Sequence, residues 1–302
     1  MKILTVDVGG TYIKYAAMNE AANFFERGKI DTPKDSHEKF LSAIVELFHT
    51  QKFEGIALSL PGIIDSELGV CITSGALGYN DGKFIVDELN ELCGVPVTIE
   101  NDANCAALAE AKIGSLADVE DGFVLVFGTA VGGAFIKNHE VHRGRNFLAG
   151  EVSYMFQSID EDFSDKKFFG ELCSVHKLLK DYAKAKKISS KVNGEDFFQA
   201  AEDGEVLALS CLKKFTRRIA LQIFNIQMIL DPERFAIGGG ISARKIFVES
   251  IRESLEEVYG ECYEDFPHVE VVQAKFQNDA NLIGALFTWL SRNFSEQPLH
   301  FG

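Results

Sequence analysis

Asp7-Val8-Gly9-Gly10-Thr11-Tyr12-Ile13-Lys14 follows directly on the apolar run Ile3-Leu4-Thr5-Val6. The run predicts a strand over Ile3–Val8, a turn at Gly9-Gly10-Thr11 and a return strand over Tyr12–Met18. Two glycines let the backbone turn sharply and bring N–H groups close to an anion. A carboxylate at the strand end suits Mg²⁺ held through water, and Thr11 and Lys14 are within reach of a phosphate. An ordinary hairpin also accounts for this stretch, with Asp7 hydrogen-bonded nearby. It matches neither the G-x-x-x-x-G-K-[ST] loop nor the G-x-G-x-x-G fingerprint.

The same pattern restarts later. Phe123–Phe127 predicts a strand, Gly128-Thr129-Ala130-Val131-Gly132-Gly133 a glycine-rich turn, and 134–137 the return strand. Two loops of this kind, each joining a strand pair, suggest a nucleotide's phosphates held by two hairpins. A third turn, Gly238-Gly239-Gly240, follows a predicted strand over Arg234–Ile237 and opens a helix that runs to about Tyr259. Three residues without side chains let a flat ring lie on the backbone, and a helix N-terminus favours anions. Close strand–helix packing would need glycine there as well.

Between the hairpins the spacing predicts a strand over 24–30, a helix over 36–50 and a strand over Gly55–Leu60 stopped by Pro61-Gly62. A strand over 95–100 and an Ala-rich helix over 103–113 follow. Helices are predicted over 168–187 and 205–230, a strand over 268–273 and a last helix over 280–294. Each half therefore begins with strand, glycine turn, strand. The break falls near Gly114-Ser115, giving lobes of 1–114 plus about 279–302 and of 115–278. Ligands in such α/β layouts bind where the carboxyl ends of strands meet a cleft.

Glu100-Asn101-Asp102-Ala103-Asn104 lies where a strand passes into a helix. Asp is among the best N-cap residues. A carboxylate fixed at such a junction is also placed to accept a proton from a hydroxyl attacking a γ-phosphate. Local sequence leaves cap and catalyst undecided.

The 302 residues carry 30 basic and 45 acidic side chains, for a net charge of −15. Such a surface repels phosphate backbones, so nucleic acid is not an expected partner. No run approaches the roughly 18 apolar residues of a membrane span. The first residues turn acidic too soon for a signal peptide, so the chain reads as cytoplasmic. Cys71, Cys93, Cys105, Cys173, Cys211 and Cys262 show no C-x-x-C spacing and read as reduced thiols, with Cys105 and Cys211 as small core residues. His139 and His142 form an H-x-x-H pair best read as a solvated loop. Trp289 reads as core of the last helix. The 25 phenylalanines mostly serve packing, while Phe163, Phe168 and Phe169 sit in a polar stretch suited to packing, an interface or a sugar pocket.

Taken together and in order, Asp7 to Thr11, Leu60-Pro61-Gly62-Ile63-Ile64-Asp65, Glu100 to Asn104, Gly128 to Gly133, Gly150-Glu151 and Gly238 to Gly240 resemble the ROK family (repressors, open reading frames and sugar kinases) over nearly the whole chain. The resemblance implies an α/β, actin-like ATPase (ribonuclease H-like) fold of two lobes with ATP and sugar in a central cleft. It implies Asp102 as the general base for a sugar hydroxyl, O6 of a hexose or glucoside. It places Asp7, Gly9, Gly10, Thr11, Lys14, Gly128, Thr129, Gly132 and Gly133 on the phosphate and Mg²⁺ side. Gly238, Gly239 and Gly240 would face adenosine. Asn101, Glu151, Pro61 and Gly62 fall on the sugar side, with Glu171 the nearby candidate for a further sugar-binding glutamate. A homodimer is implied as well. Ser74-Gly75-Ala76-Leu77-Gly78-Tyr79 resembles the branch of β-glucoside kinases and unassigned sugar kinases.

The departures carry information. Many family kinases have Gly-Glu-x-Gly-His, whose histidine touches sugar and a structural zinc. Here Tyr154 stands in that place, and the cysteine-rich segment is replaced by Phe168–Lys177, so no structural zinc is expected. Ala76 replaces a polar sugar contact, which leaves room for a substituted sugar or disaccharide. Two other readings stay open: a sugar-binding protein without catalysis, and a sugar-responsive regulator. The family's repressors carry a DNA-binding helix-turn-helix before the first strand, where this sequence already has Asp7 in its phosphate loop.

Overall fold

A computed structural model describes residues 1–158, 167–188, 192–262 and 265–294. Phe163 lies outside them. The chain divides into two compact units. Unit 1 comprises Met1–Lys112, Arg143–Leu148 and the chain from Asp279; unit 2 comprises Ile113–His142 and Ala149–Asn278.

Unit 1 opens with β1 (Ile3–Val8), β2 (Tyr12–Met18) and β3 (Phe24–Asp31), followed by α1 (His37–Phe48) and β4 (Gly55–Leu60). Ser36 caps α1, its hydroxyl accepting from the Lys39 N–H at 3.3 Å, and Phe40, Leu41, Ile44, Leu47 and Phe48 form the buried stripe. Short strands β5 (Ile64–Asp65) and β6 (Val70–Cys71) pair with each other, and α2 (Ile85–Cys93), β7 (Val97–Asn101) and α3 (Asp102–Ile113) follow. The sheet order is β3-β2-β1-β4-β7. The hairpin strands are antiparallel, while β1, β4 and β7 run parallel. Every residue of β1, β4 and β7 is buried, as expected of parallel strands covered on both faces.

Unit 2 repeats the plan. Its strands are β8 (Gly122–Phe127), β9 (Val131–Lys137), β10 (Glu140–Val141), the paired β11 (Phe156–Ser158) and β12 (Lys167–Phe168), β13 (Arg234–Gly238) and β14 (Glu270–Gln273). Its helices are α4 (Phe169–Leu172), α5 (Val175–Lys186), α6 (Gly194–Glu202), α7 (Val206–Leu230) and α8 (Lys245–Gly260). The main sheet order, β10-β9-β8-β13-β14, with β8, β13 and β14 parallel, matches that of unit 1 strand for strand. The two glycine turns therefore occupy equivalent places. The last helix, α9 (Ala280–Asn293), returns to unit 1 and packs on β1, β4 and β7.

Several predicted elements shift. The helix expected over 168–187 breaks at Cys173, because Ser174 caps a new helix by accepting from the Lys177 N–H at 3.1 Å. The return strand of the second hairpin starts at Val131 rather than Ala134. Helices α2 and α6 were not read from the sequence.

Phenylalanine fills the core of unit 2. Phe123, Phe127, Phe169, Phe197, Phe198, Phe215, Phe235 and Phe247 are all fully buried. Phe127 meets Phe247 edge-on at 5.4 Å, and Phe197 meets Phe198 edge-on at 5.1 Å. Such pairs add roughly 0.5–1.5 kcal/mol each beyond the area they bury. Phe169 thus belongs to the core. Trp289 is buried against Gly55 and donates to the Pro96 carbonyl at 3.0 Å.

All six cysteines are free thiols. Cys105 is fully buried, whereas Cys211, expected in the core, is only half-buried. Burial pushes the Cys71 and Cys173 thiols up to about 12 and the Cys105 thiol well above its usual range. Since the thiolate is the reactive form, disulfide exchange with an aromatic disulfide at pH 8 is expected to modify no more than three thiols in the native chain. Peptide mapping should find Cys71, Cys105 and Cys173 unmodified until the chain is unfolded.

Candidate active site

In unit 1 the first turn is closed by its own backbone. The Gly9 N–H donates to the Tyr12 carbonyl at 3.0 Å, and the Thr32 hydroxyl donates to the Gly9 carbonyl at 2.6 Å. The Gly9 N–H is thus spent on the turn, which leaves Gly10 and Thr11, both exposed, as the candidates for phosphate contact. Asp7 is buried at the end of β1. Its Oδ1 accepts from Asn281 Nδ2 at 2.9 Å and lies 3.4 Å from the Ser59 hydroxyl; its Oδ2 lies 3.5 Å from Lys14 Nζ. Asp7 and Lys14 are cross-strand partners in the β1–β2 register, which is what brings them together.

The junction of β7 and α3 separates two roles that the sequence left open. Asn101 makes the cap: its Oδ1 accepts from the Asn104 N–H at 3.0 Å. Asp102 is the first residue of α3, half-buried, and its Oδ1 accepts from the adjacent Ala103 N–H at 2.8 Å. The Asn101 Nδ2 donates to the Gly62 carbonyl at 2.8 Å. Both polar ends of Asn101 are therefore anchored to the protein, and each keeps one further hydrogen-bonding position. Gly62 has φ +97°, and a β-carbon there would lie 2.2 Å from the Thr73 carbonyl oxygen. Only glycine lets the Pro61-Gly62 turn pass this close.

Unit 2 carries the second turn. The Gly128 N–H donates to the Ala130 carbonyl at 2.9 Å, and the Gly128 carbonyl accepts from the Val175 N–H at the start of α5, at 3.1 Å. As in the first hairpin, the leading glycine closes the turn and an exposed threonine, Thr129, stands at its tip. Gly132 and Gly133 lie inside β9 rather than in the turn. A side chain on Gly133 would meet the Gly150 carbonyl oxygen at 2.7 Å, so its glycine admits the backbone of the Gly150-Glu151 segment. The Glu151 carboxylate has no hydrogen-bond or ion-pair partner among the described residues, and burial raises its pKa above the usual range. Gly238 ends β13, and Gly239, at φ +87°, would carry a β-carbon 2.1 Å from the Phe127 carbonyl oxygen. The glycines do not open an α-helix directly. A 3₁₀ turn over Gly240–Ala243 intervenes and α8 starts at Lys245, so the expected helix N-terminal field lies five residues beyond Gly240.

Tyr154 and Glu171, 17 residues apart, share one cavity of about 480 Å³ with Thr129, Phe168, Ser174 and Lys177. Tyr154 is 68% exposed. Phe168 stacks on Phe156 at 4.8 Å and meets Tyr154 edge-on at 6.3 Å. The cavity thus pairs an aromatic wall with polar groups, the lining used to seat carbohydrate rings and other amphipathic ligands. Among the described residues no three His, Cys, Asp or Glu side chains stand together as metal ligands, and no helix is long and apolar enough to cross a membrane. His139 and His142 are exposed. The sequence did not single out Asn281 or Thr32. Each reaches its site only through tertiary contacts, and no local pattern marks them.

The chain matches the ROK family model over residues 3–292 and belongs to that family. It is 31% identical over 291 residues to a beta-glucoside kinase from Klebsiella pneumoniae, covering 95% of each chain. It is 30% identical to an N-acetyl-D-glucosamine kinase from Vibrio parahaemolyticus, covering 93% of this chain and 97% of that one. A ROK family protein from Streptococcus pneumoniae, solved in complex with sucrose, superposes with a TM-score of 0.88 at 30% identity over 98% of this chain and all of that one. The fold is the actin-like ATPase fold, and its two matching sheets are the repeat anticipated from the two glycine hairpins.

Proposed function

We propose that the chain is an ATP-dependent sugar kinase that phosphorylates O6 of a hexose carrying a substituent on its anomeric oxygen, with Asp102 as the general base. The observation that carries the assignment of base is the cap made by Asn101. Asn101 rather than Asp102 makes the cap bond to the Asn104 N–H, and the Asp102 carboxylate, fixed at the first position of α3 with its Oδ1 on the Ala103 N–H, is placed to serve the sugar hydroxyl. Proton acceptance as the oxygen attacks the γ-phosphate is the step asked of it.

Each turn by itself suits phosphate oxygens of the donor: Gly10 and Thr11 are exposed in the turn of unit 1, and Thr129 is exposed in the turn of unit 2. The open backbone at Gly240, where a β-carbon would meet nothing within 4 Å, suits the nucleoside. Asp7 supplies one buried carboxylate, which fits a Mg²⁺ ion that takes most of its ligands from water and phosphate oxygens. When bound, such an ion offsets charge on the phosphates. Asn281 and Ser59 fix the carboxylate, and Lys14 balances its charge. Glu151, half-buried and with a carboxylate that has no partner among the described residues, suits a hydrogen bond from a sugar hydroxyl.

The substituted hexose follows from the aromatic wall. Tyr154 and Phe168 place apolar surface beside Glu171 in the cavity that also holds Thr129. Relatives that act on β-glucosides, or that hold a disaccharide, agree with it. The test is a panel of glucose, N-acetylglucosamine, methyl and phenyl β-glucosides and cellobiose with ATP–Mg²⁺, read by ADP release and by the position of the new phosphate. The glucosides should be phosphorylated at O6 with the highest kcat/KM. Tyr154→Ala should lower kcat/KM for phenyl β-glucoside and cellobiose about 10-fold or more, about 1.4 kcal/mol of lost ring contact, while changing glucose less than 3-fold. Equal losses on all sugars would remove the aromatic wall from the reading, and sugar binding without phosphorylation across the panel would leave a non-catalytic binder.

A further inference from the structure

Glu100 is buried to 0% exposure immediately before the Asn101–Asp102 pair. A charge so placed needs its oxygens filled. The Glu100 Oε1 accepts from the Asn101 N–H and from Asn104 Nδ2, both at 2.9 Å. The Oε2 accepts from Arg143 Nε at 2.8 Å and faces Arg143 Nη2 at 2.6 Å. One carboxylate therefore ties the backbone entering α3, the side chain at the third position of α3, and a guanidinium from 43 residues further along the chain. Arg143 belongs to a short stretch, Arg143–Leu148, that packs with unit 1 although its neighbours in sequence belong to unit 2. Arg292 on α9 lies close enough to feel both charges. Burial first, and then repulsion from Arg143, lower its pKa, and Glu100, Glu67 and Asp65 oppose that shift.

We propose that Glu100 and Arg143 form a positioning pair that holds Asn101 and Asp102 in the orientation the phosphoryl transfer needs. The pair rests on the reading of Asp102 as the base. A fork between Arg and a carboxylate fixes direction as well as distance. Here the carboxylate passes that fixity to the Asn101 N–H and, through Asn104, to the first turn of α3. Asn101 in turn holds the Pro61-Gly62 turn through the Gly62 carbonyl. A loosened Glu100 shifts the catalytic carboxylate and the sugar-side turn together, and leaves the Gly9–Thr11 turn in place.

Arg143→Met is expected to lower kcat about 30- to 100-fold, the loss that follows a displacement of about an ångström. Sugar KM should rise several-fold and ATP KM should stay within twofold. Arg143→Met also strands a buried charge and lowers the unfolding temperature, so the Glu100→Gln/Arg143→Met double variant is the deciding measurement. Removing both charges together should restore the unfolding temperature while kcat stays at least 10-fold below wild type. Recovery of kcat to within threefold of wild type would mean that the pair only balances charge, and would overturn the proposal. Should the double variant fail to regain stability, Arg143→Lys decides: it keeps the charge, loses the fork, and should unfold normally with kcat reduced about 10-fold. Unchanged kcat there would also overturn it. Asp102→Asn in the same assay separates the two ideas. An active Asp102→Asn variant removes the base itself; an inactive one beside a fully active Arg143→Lys removes only the positioning pair.

Discussion

Asp102→Asn is expected to fold and bind sugar like the wild-type chain and to lose about 10³-fold in kcat, the usual worth of a positioned general base. The substitution is close to isosteric. Its carboxamide oxygen still accepts from the Ala103 N–H, the bond seen at 2.8 Å, and the cap of α3 is untouched because Asn101 makes it. The helix therefore keeps its start, and the unfolding temperature should move by no more than 2–3 °C. What is lost is a basic oxygen for the hydroxyl proton, since a carboxamide does not take up a proton near neutral pH. Sugar KM should change only a few-fold. The counter-experiment is Asn101→Ala, which removes the cap and costs about 1 kcal/mol of stability along with the bond to the Gly62 carbonyl. If Asp102→Asn turns over within tenfold of wild type while Asn101→Ala is inactive, the base has been assigned to the wrong residue.

This contrast marks how far the sequence reaches. Asn and Asp are both strong N-cap residues, so Asn101-Asp102 reads as one cap in either of two registers. Only the hydrogen bond to Asn104 chooses between them. The hairpins were legible because Ile3–Val8 and Phe123–Phe127 are apolar-rich runs ended by glycine, Gly9-Gly10 in one and Gly128 in the other, a local signal. Gly133, Gly239 and Gly62 were legible as glycines but not in their use. Each yields to the backbone of a distant segment, at Gly150, Phe127 and Thr73, and such an approach leaves no trace in neighbouring residues. Helix α2 was missed because its start carries no polar cap: Phe84 precedes Ile85 and makes no side-chain bond. The break before α5 was missed for the opposite reason, since Ser174 sits inside an otherwise helical run. Arg143 lies in His-Arg-Gly-Arg, which reads as a solvated loop until the fold brings it to Glu100.

Gly284→Ala should destabilise the chain by about 3 kcal/mol, even though alanine is the better helix former by about 1 kcal/mol. Gly284 lies in the middle of α9 and is buried. A β-carbon built there would sit 1.8 Å from the Cys105 carbonyl oxygen, 2.3 Å from its carbonyl carbon and 2.6 Å from its α-carbon. These are main-chain atoms of α3, so no rotamer change relieves the clash, and the two helices must separate by more than an ångström. Separation opens gaps around Ile283 and Phe287, both buried beside Gly284, and overpacked cores typically lose 1–3 kcal/mol. The unfolding temperature should fall by roughly 6–12 °C. Gly260→Ala is the control. It ends α8, has open space where its β-carbon would go, and should leave the temperature unchanged or slightly raised. The displacement also reaches the site, because α9 carries Asn281, which holds Asp7 Oδ1 at 2.9 Å, and α3 begins with Asp102. Activity measured well below the unfolding transition should therefore fall in Gly284→Ala and not in Gly260→Ala. If Gly284→Ala unfolds within 2 °C of wild type, α9 does not cross α3 at backbone contact, and the tie between the last helix and the helix that carries the base is gone.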